Sequence, residues 1–223
     1  MGKLQNFICG IHAATNNDYL GRMLDRKPEC MEVARRFDRE YWDGDRRYGY
    51  GGYRYDGRWK AVAERLIDVY ELKSGSKVLD VGCGKAHLLY ELSKILPSLE
   101  CVGFDISEYA LQNAPEEFKG QLLKFPAECT YPFEDKAFDL VLSLATLHNL
   151  KTFDLAKALQ EIQRVGKQAY VMLDSYRNPA ELFNLQCWTL TLETAFDPNE
   201  WRWFFDIVGY SGDYEFIFSV IQI

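Results

Sequence analysis

Two predicted strands of this sequence end in aspartates, and the first aspartate precedes a glycine-rich turn. Asp80 lies at the end of a short apolar strand and is followed by Gly82 and Gly84 before a helix begins. Glycines in such a turn let the backbone approach a ligand closely, and the helix N-terminus offers free N–H groups. A carboxylate beside this turn repels a diphosphate but attracts an ammonium group. The pattern therefore predicts a ligand that carries an amine.

The second aspartate, Asp105, ends the next predicted strand. Because parallel neighbouring strands place their C-terminal ends side by side, Asp105 is expected to face the same crevice and to accept both hydroxyls of a ribose. The alternative role is the N-cap of the following helix. A dinucleotide fingerprint, G-x-G-x-x-G, fails because its third glycine is His87 here. The two carboxylates together predict a nucleoside that bears an amino acid.

Three side chains are candidate general bases. His148 follows the third clear strand, where a base can face a substrate, although a packing role is the alternative. Asp174 ends the fifth strand and is either a crevice residue or a helix cap. Tyr53 lies in an aromatic loop before the first strand. A general base is needed when the group to be modified is a hydroxyl.

That loop, residues 41–59, holds five Tyr, five Gly, four Arg and two Trp and has neither helical nor strand periodicity. Arginine forms bidentate hydrogen bonds with phosphate or carboxylate, and aromatic rings stack on sugars or bases. We therefore predict a lid in which Arg54, Tyr55 and Arg58 bind an anionic substrate. The alternative is a rigid turn that packs on the domain.

The elements around these residues alternate between apolar strands and amphipathic helices from residue 76 onward. This alternation predicts a Rossmann-like, doubly wound α/β fold with a mostly parallel sheet. We expect seven strands, with the run 214–221 forming an antiparallel C-terminal edge strand. Residues 1–60 are predicted to form a helical segment and the lid loop, and residues 61–223 the ligand-binding domain, within a single globular unit.

Composition narrows the possible partners and compartment. The chain has 223 residues and a net charge of −7, which argues against broad binding to nucleic acid. Six cysteines lie far apart without a C-x-x-C pair, so no metal site is indicated and reduced core thiols are expected. The apolar stretch 7–11 is too short for a signal peptide, and no segment is apolar enough to span a membrane. These features predict a cytoplasmic protein.

The sequence resembles the class I S-adenosylmethionine-dependent methyltransferases. Four motifs occur in order: V-L-D-V-G-C-G (78–84), V-G-F-D-I-S (102–107), Y-P-F-E-D-K-A-F-D-L-V-L-S (131–143) and L-H-N-L (147–150). The resemblance implies that the cofactor is S-adenosylmethionine and the product S-adenosylhomocysteine. The sequence departs from the family pattern at Ala86, where a third glycine is common. We expect the additional methyl group of alanine to be tolerated.

The resemblance also implies roles for individual residues. Asp80, Gly82 and Gly84 would surround the methionine end of the cofactor, and Ser143 would pass close to it. At the nucleoside end three residues would make contact, namely Asp105 with the ribose, Ile106 with the adenine ring and Glu128 with the adenine amino group.

The leading hypothesis is therefore an enzyme that methylates a small anionic metabolite, such as a nucleotide-activated sugar or a glycoconjugate precursor. One alternative is a methyltransferase that acts on a protein or RNA. The stretch S-L-A-T (143–146) replaces the N-P-P-Y-like tetrad that base amino-group methylation uses. A second alternative is a binding module that keeps the cofactor fold without catalysis. The sequence leaves the acceptor and the oligomeric state open.

Overall fold

The chain is built around one parallel β-sheet. A computed structural model describes residues 2–8, 17–51 and 53–220. The strands are β1 (Lys77–Val81), β2 (Glu100–Asp105), β3 (Gln121–Lys124), β4 (Phe138–Leu144), β5 (Gly166–Ser175) and β6 (Asp213–Phe218). Their order across the sheet is β3-β2-β1-β4-β5-β6, and every neighbouring pair is parallel. The strand order reverses between β1 and β4, which opens a crevice at their C-terminal ends.

Helices cover both faces of this sheet. They are α1 (Tyr19–Leu24), α2 (Lys27–Ala34), α3 (Arg39–Asp43), α4 (Lys60–Val69), α5 (His87–Ile95), α6 (Glu108–Gln112), α7 (Thr152–Val165), α8 (Pro179–Trp188) and α9 (Pro198–Val208). Successive strand residues point to opposite faces of the sheet. Val78 therefore packs with helices α4 and α5 on one face, and Leu79 packs with helices α7 and α9 on the other. None of the helices in the described parts of the chain is long and apolar enough to cross a membrane.

The sheet differs from the prediction in its last strand. The described residues contain six strands instead of seven, and β6 runs parallel to β5, so the expected antiparallel edge strand is wrong. The reason is that α9 is a crossover helix, which carries the chain back to the edge of the sheet where β5 begins. The short strand β3 was not predicted, because it has only four residues, of which two are exposed and two half-buried, and these carry little apolar signal.

Local signals determine where the last two helices begin. The Asn178 side chain accepts the N–H of Glu181 at the start of α8, and Asp197 forms a capping box at the start of α9. The sequence did not predict α8, because its apolar residues do not gather on one face. Its C-terminal residue, Trp188, nevertheless proves important for the site.

The segment before α4 packs over the crevice instead of extending from the domain. Cys30, Ala34 and Tyr41 form a small core with Leu190, which follows α8. The division of the chain at residue 60 stays a prediction. The five described cysteines are free thiols, and Cys9 lies outside the described residues.

Candidate active site

The turn after β1 requires glycine at two positions. Gly82 and Gly84 have φ angles of +78° and +54°. A Cβ at Gly82 would lie 2.2 Å from Cγ2 of Thr146, and one at Gly84 would lie 2.8 Å from Cη2 of Trp42. Ala86 also takes a positive φ, +55°, with its methyl group buried, so this turn forms without a third glycine.

Asp105 is held at the end of β2 by backbone N–H groups. Its two carboxylate oxygens accept the N–H of Gly84 and the N–H of Ser107, each at 2.8 Å. Burial raises the pKa of Asp105, and these hydrogen bonds offset part of that rise. The alternative role of Asp105 as a helix N-cap is wrong, because the cap of α6 is Ser107, whose side chain accepts the N–H of Ala110.

Asp80 is a buried carboxyl group without a protein partner. It is 5% exposed, and no described residue donates a hydrogen bond to its side chain or forms an ion pair with it. Burial, together with the nearby charge of Asp105, raises the pKa of Asp80 to about 7. The carboxyl group lines a cavity. Its position is therefore suited to a cationic group that enters from that cavity.

The cavity has a volume of about 680 Å³ and lies above the C-terminal ends of the central strands. The part that we call the inner pocket lies where β1, β2 and β3 end. It is lined by residues that include Asp80, Gly82, Gly84, Asp105, Ile106 and Glu128. The part that we call the outer chamber is enclosed by the N-terminal segment, α8 and the end of β6. It is lined by residues that include Asn17, Tyr19, Tyr50, Asp174, Trp188 and Phe218.

The N-terminal segment is fastened to the inner pocket at two places. The indole Nε1 of Trp42 donates to Oγ of Ser107 at 2.8 Å, while its ring lies against the glycine turn. Nζ of Lys85, a side chain only 8% exposed, lies 2.7 Å from both carboxylate oxygens of Asp43, and Tyr109 donates to the same carboxylate. We call the ion pair the Asp43–Lys85 latch.

Comparison with known proteins identifies the fold's family. A family model described as a methyltransferase domain matches residues 72–209. The chain belongs to the class I S-adenosylmethionine-dependent methyltransferases. A solved S-adenosylmethionine-dependent methyltransferase from Archaeoglobus fulgidus aligns with a TM-score of 0.51 and 23% identity over 77% of this chain and 72% of that one.

Two curated relatives have different named activities. The chain is 32% identical over 143 residues to the mitochondrial arginine-hydroxylase NDUFAF5 of Danio rerio, covering 60% of this chain and 41% of that protein. It is 38% identical over 113 residues to the demethylmenaquinone methyltransferase of Staphylococcus carnosus, covering 48% and 46%. The chain thus spans less than half the length of these relatives.

The inner pocket fits the cofactor of this family, S-adenosylmethionine. The partnerless carboxylate of Asp80 would bind the amine. Each oxygen of Asp105 accepts one N–H and keeps lone-pair capacity for the ribose hydroxyls. Ile106, 54% exposed, offers an apolar surface for the adenine ring, and Glu128 lines the same wall. When bound, the cofactor supplies an electrophilic sulfonium methyl group.

Two of the predicted catalytic residues form a pair beside the outer chamber. His148 is 5% exposed, and its Nδ1 accepts the backbone N–H of Asp174 at 3.0 Å. The proton of the neutral imidazole therefore lies on Nε2, which is 3.5 Å from Oδ2 of Asp174. Nδ1 is thus engaged by the backbone, and the Asp174 carboxylate remains partly exposed to the cavity.

Two other predicted residues have different surroundings from those expected. Tyr53 lines the cavity, but burial raises its pKa and keeps the phenol neutral, so it is unsuited to be a base. Ser143 is fully buried and donates to the backbone oxygen of Val81 at 2.9 Å. Ser143 does not line the cavity, so its contact with the cofactor stays a prediction that its position does not support. Thr146, three residues later, reaches the pocket.

The predicted substrate-binding residues are mostly outside the cavity. Tyr55 donates a hydrogen bond to the buried Glu91 of α5, and Arg54 is exposed; neither residue lines the cavity. Their substrate-binding roles stay predictions, which their positions do not support. Arg58 lines the cavity, where its guanidinium is paired with Asp56.

Several cavity residues were not singled out individually from the sequence. Trp42 and Tyr50 belong to the loop that the sequence marked as unusual, and both reach the cavity. Asn17 and Trp188 come from distant segments, and their local sequence gave no sign of a role. Only the packing of α1 against the end of α8 brings them to the outer chamber.

Proposed function

We propose that the methyltransferase transfers the methyl group to a hydroxyl of a small-molecule acceptor in the outer chamber. The observation that carries this proposal is the Asp174 carboxylate, which faces the cavity and is backed by His148. A hydroxyl is a weak nucleophile until its proton is removed, so an acceptor of this type requires a base at that position.

In this proposal Asp174 accepts the hydroxyl proton, and His148 is a positioning residue. The backbone N–H of Asp174 holds the imidazole through Nδ1, so that Nε2 lies 3.5 Å from Oδ2. The ring therefore lies against the carboxylate and limits its movement before proton transfer.

The walls of the outer chamber favour a flat acceptor. Tyr19, Tyr50 and Trp188 contribute aromatic surface, and an enclosed chamber suits a small molecule better than a folded macromolecule. The name of the Staphylococcus carnosus relative describes methylation of demethylmenaquinone, which also supports a small-molecule acceptor. A nucleotide-activated sugar as the acceptor stays a prediction, although Arg54 and Tyr55 do not line the cavity.

The acceptor class is tested by transfer of a labelled methyl group to a cell extract before and after protein and nucleic acid are removed. We expect the labelled product to persist in the small-molecule fraction. Loss of labelling with the macromolecules would refute the proposal and favour a protein or RNA substrate. No labelling of either fraction, with S-adenosylhomocysteine still bound, would favour a non-catalytic binding module.

The base is tested by Asp174→Asn. We expect kcat to fall about 100-fold or more, with unchanged affinity for S-adenosylhomocysteine, because only proton transfer is lost. Asp206→Asn, on the exposed side of α9, is the matched control and should behave as wild type. Full activity in Asp174→Asn would show that the acceptor needs no base there.

A further inference from the structure

We propose that the mouth of the outer chamber binds an oxyanion group of the acceptor through Arg46, within a positive field to which Arg22 and Lys27 contribute. This inference rests on the proposed small-molecule function. It assigns the anionic part of the substrate to residues that the sequence did not single out. The hydroxyl to be methylated would lie at the other end of the chamber, beside Asp174.

Arg46 contacts three residues that line the cavity. Its Nη2 donates to Oδ1 of Asn17 at 3.2 Å, and its guanidinium carbon lies 5.5 Å from the centre of the Trp188 ring. Its Nε is 4.0 Å from the position that a Cβ on Gly51 would occupy. Asn17, Gly51 and Trp188 all line the cavity, and Arg46 itself is exposed. The guanidinium therefore lies at the rim, within reach of a ligand in the chamber.

Two more cations lie around the same end of α8. Arg22 donates to the backbone oxygens of Trp188, Arg46 and Gly49, and its guanidinium carbon is 4.4 Å from the Trp188 ring centre. Lys27 donates to the backbone oxygens of residues 186 and 187. In the part of the chain that the structure describes, no carboxylate forms an ion pair with Arg22, Lys27 or Arg46.

The negative groups nearby do not balance these three positive charges. The C-terminal end of α8 contributes about half a negative charge through its aligned carbonyls. Asp18 accepts the N–H of Gly21, and Asp45, the residue before Arg46, accepts the N–H of Arg47; neither carboxylate forms an ion pair with the three cations. A net positive charge therefore remains at the mouth of the chamber.

Elsewhere along the cavity the lining cations have carboxylate partners. Lys85 is paired with Asp43, Arg58 with Asp56, and Arg177 with Glu181. The uncompensated positive charge thus lies at the mouth of the outer chamber, whereas the carboxyl groups of Asp80 and Asp105 line the inner pocket and that of Asp174 lines the outer chamber away from the mouth. An acceptor with an oxyanion at one end and a hydroxyl at the other matches this polarity.

The first experiment fractionates the small-molecule extract on an anion-exchange resin before the labelled-methyl assay. We expect the acceptor to bind the resin and to be released by salt. Labelled product from the flow-through would overturn the inference and leave the proposed function intact. No product from any small-molecule fraction would overturn both. Phosphatase treatment of the released fraction then distinguishes a phosphate, whose labelling is lost, from a carboxylate, whose labelling persists.

The second experiment uses Arg46→Gln and the released acceptor. We expect KM for the acceptor to rise about fivefold with kcat unchanged, and the difference from wild type to shrink as salt is added. Arg46→Lys should restore most of the affinity. Arg202→Gln is the matched control, because Arg202 also donates to an asparagine side chain but lies on α9. An unchanged KM in Arg46→Gln, or an equal and salt-independent loss in Arg46→Lys, would overturn the inference.

Discussion

Replacement of Asp80 by asparagine should stabilise the ligand-free protein at neutral and alkaline pH. Burial and the charge of Asp105 raise the pKa of Asp80 to about 7, from 3.8 for an unperturbed aspartate. The folded state therefore binds a proton that the unfolded state has released between about pH 4 and pH 7. As pH rises through this window, the contribution of Asp80 to the free energy of unfolding decreases.

The size of the effect follows from the two pKa values. At roughly 1.36 kcal/mol per pH unit, the ionised carboxylate lowers the free energy of unfolding by about 4 kcal/mol at pH 8. At pH 5 the group is protonated in the folded state, and the penalty is about 1.5 to 2 kcal/mol. The stability difference between Asp80→Asn and wild type should therefore grow by about 2.5 kcal/mol from pH 5 to pH 8.

Urea unfolding at pH 5, 6, 7 and 8 measures this difference directly. Asp139→Asn is the matched control, because Asp139 is paired with Lys167 and its pKa is lowered. That variant should be no more stable than wild type at pH 8. A stability difference for Asp80→Asn that stays constant with pH would refute the assignment of a raised pKa to Asp80.

The same substitution should have the opposite effect on ligand binding. S-adenosylhomocysteine carries the amine that Asp80 would bind, so its affinity for wild type should weaken up to tenfold per pH unit below about pH 7. In Asp80→Asn, binding should be weaker and nearly independent of pH in this range. Calorimetric titration at several pH values measures the affinity of wild type and of Asp80→Asn. An affinity at pH 8 that is the same in both proteins would show that Asp80 does not face the amine.

Three further predictions concern the turn, the latch and the loop. Gly82→Ala should weaken S-adenosylhomocysteine binding, measured by titration, and should lower the free energy of unfolding, measured with urea, by more than Gly57→Ala does. Both glycines have a φ of +78°, but only a Cβ at Gly82 would meet other atoms. Equal losses would mean that the close approach to Gly82 is unimportant. Asp43→Asn should speed dissociation of the cofactor several-fold in stopped flow, because the latch loses its charge; an unchanged rate would remove the latch from cofactor retention. Tyr55→Phe should leave KM for the acceptor unchanged, and a rise in KM would contradict its place outside the cavity.

The sequence predicted that the residues of the inner pocket share one crevice, because they are close together in the chain. Asp80 and the two glycines follow one strand, and Asp105 ends the next. Two parallel neighbours necessarily bring these residues to one crevice. The recurring strand-helix pattern likewise predicted the parallel sheet and the class of fold, both of which are confirmed.

The outer chamber could not be predicted in the same way, because its residues come from segments far apart in sequence. Trp188 ends a helix whose apolar residues show no preferred face, and Asn17 lies two residues before α1 begins. Arg46 and Tyr55 belong to the same aromatic loop, yet Arg46 lies at the mouth of the chamber, whereas Tyr55 is hydrogen-bonded to Glu91 of α5 and does not line the cavity. Residue type alone does not distinguish them.

The sequence by itself determined the fold class, the cofactor and the carboxylates of the inner pocket, because these depend on short-range patterns and on residue chemistry. Tertiary structure alone decided the direction of β6, the burial of Ser143 and the partners of His148. It also decided which arginines keep uncompensated charge. Those properties depend on which distant segments pack together, and hydrophobic burial drives that packing without leaving a local signature.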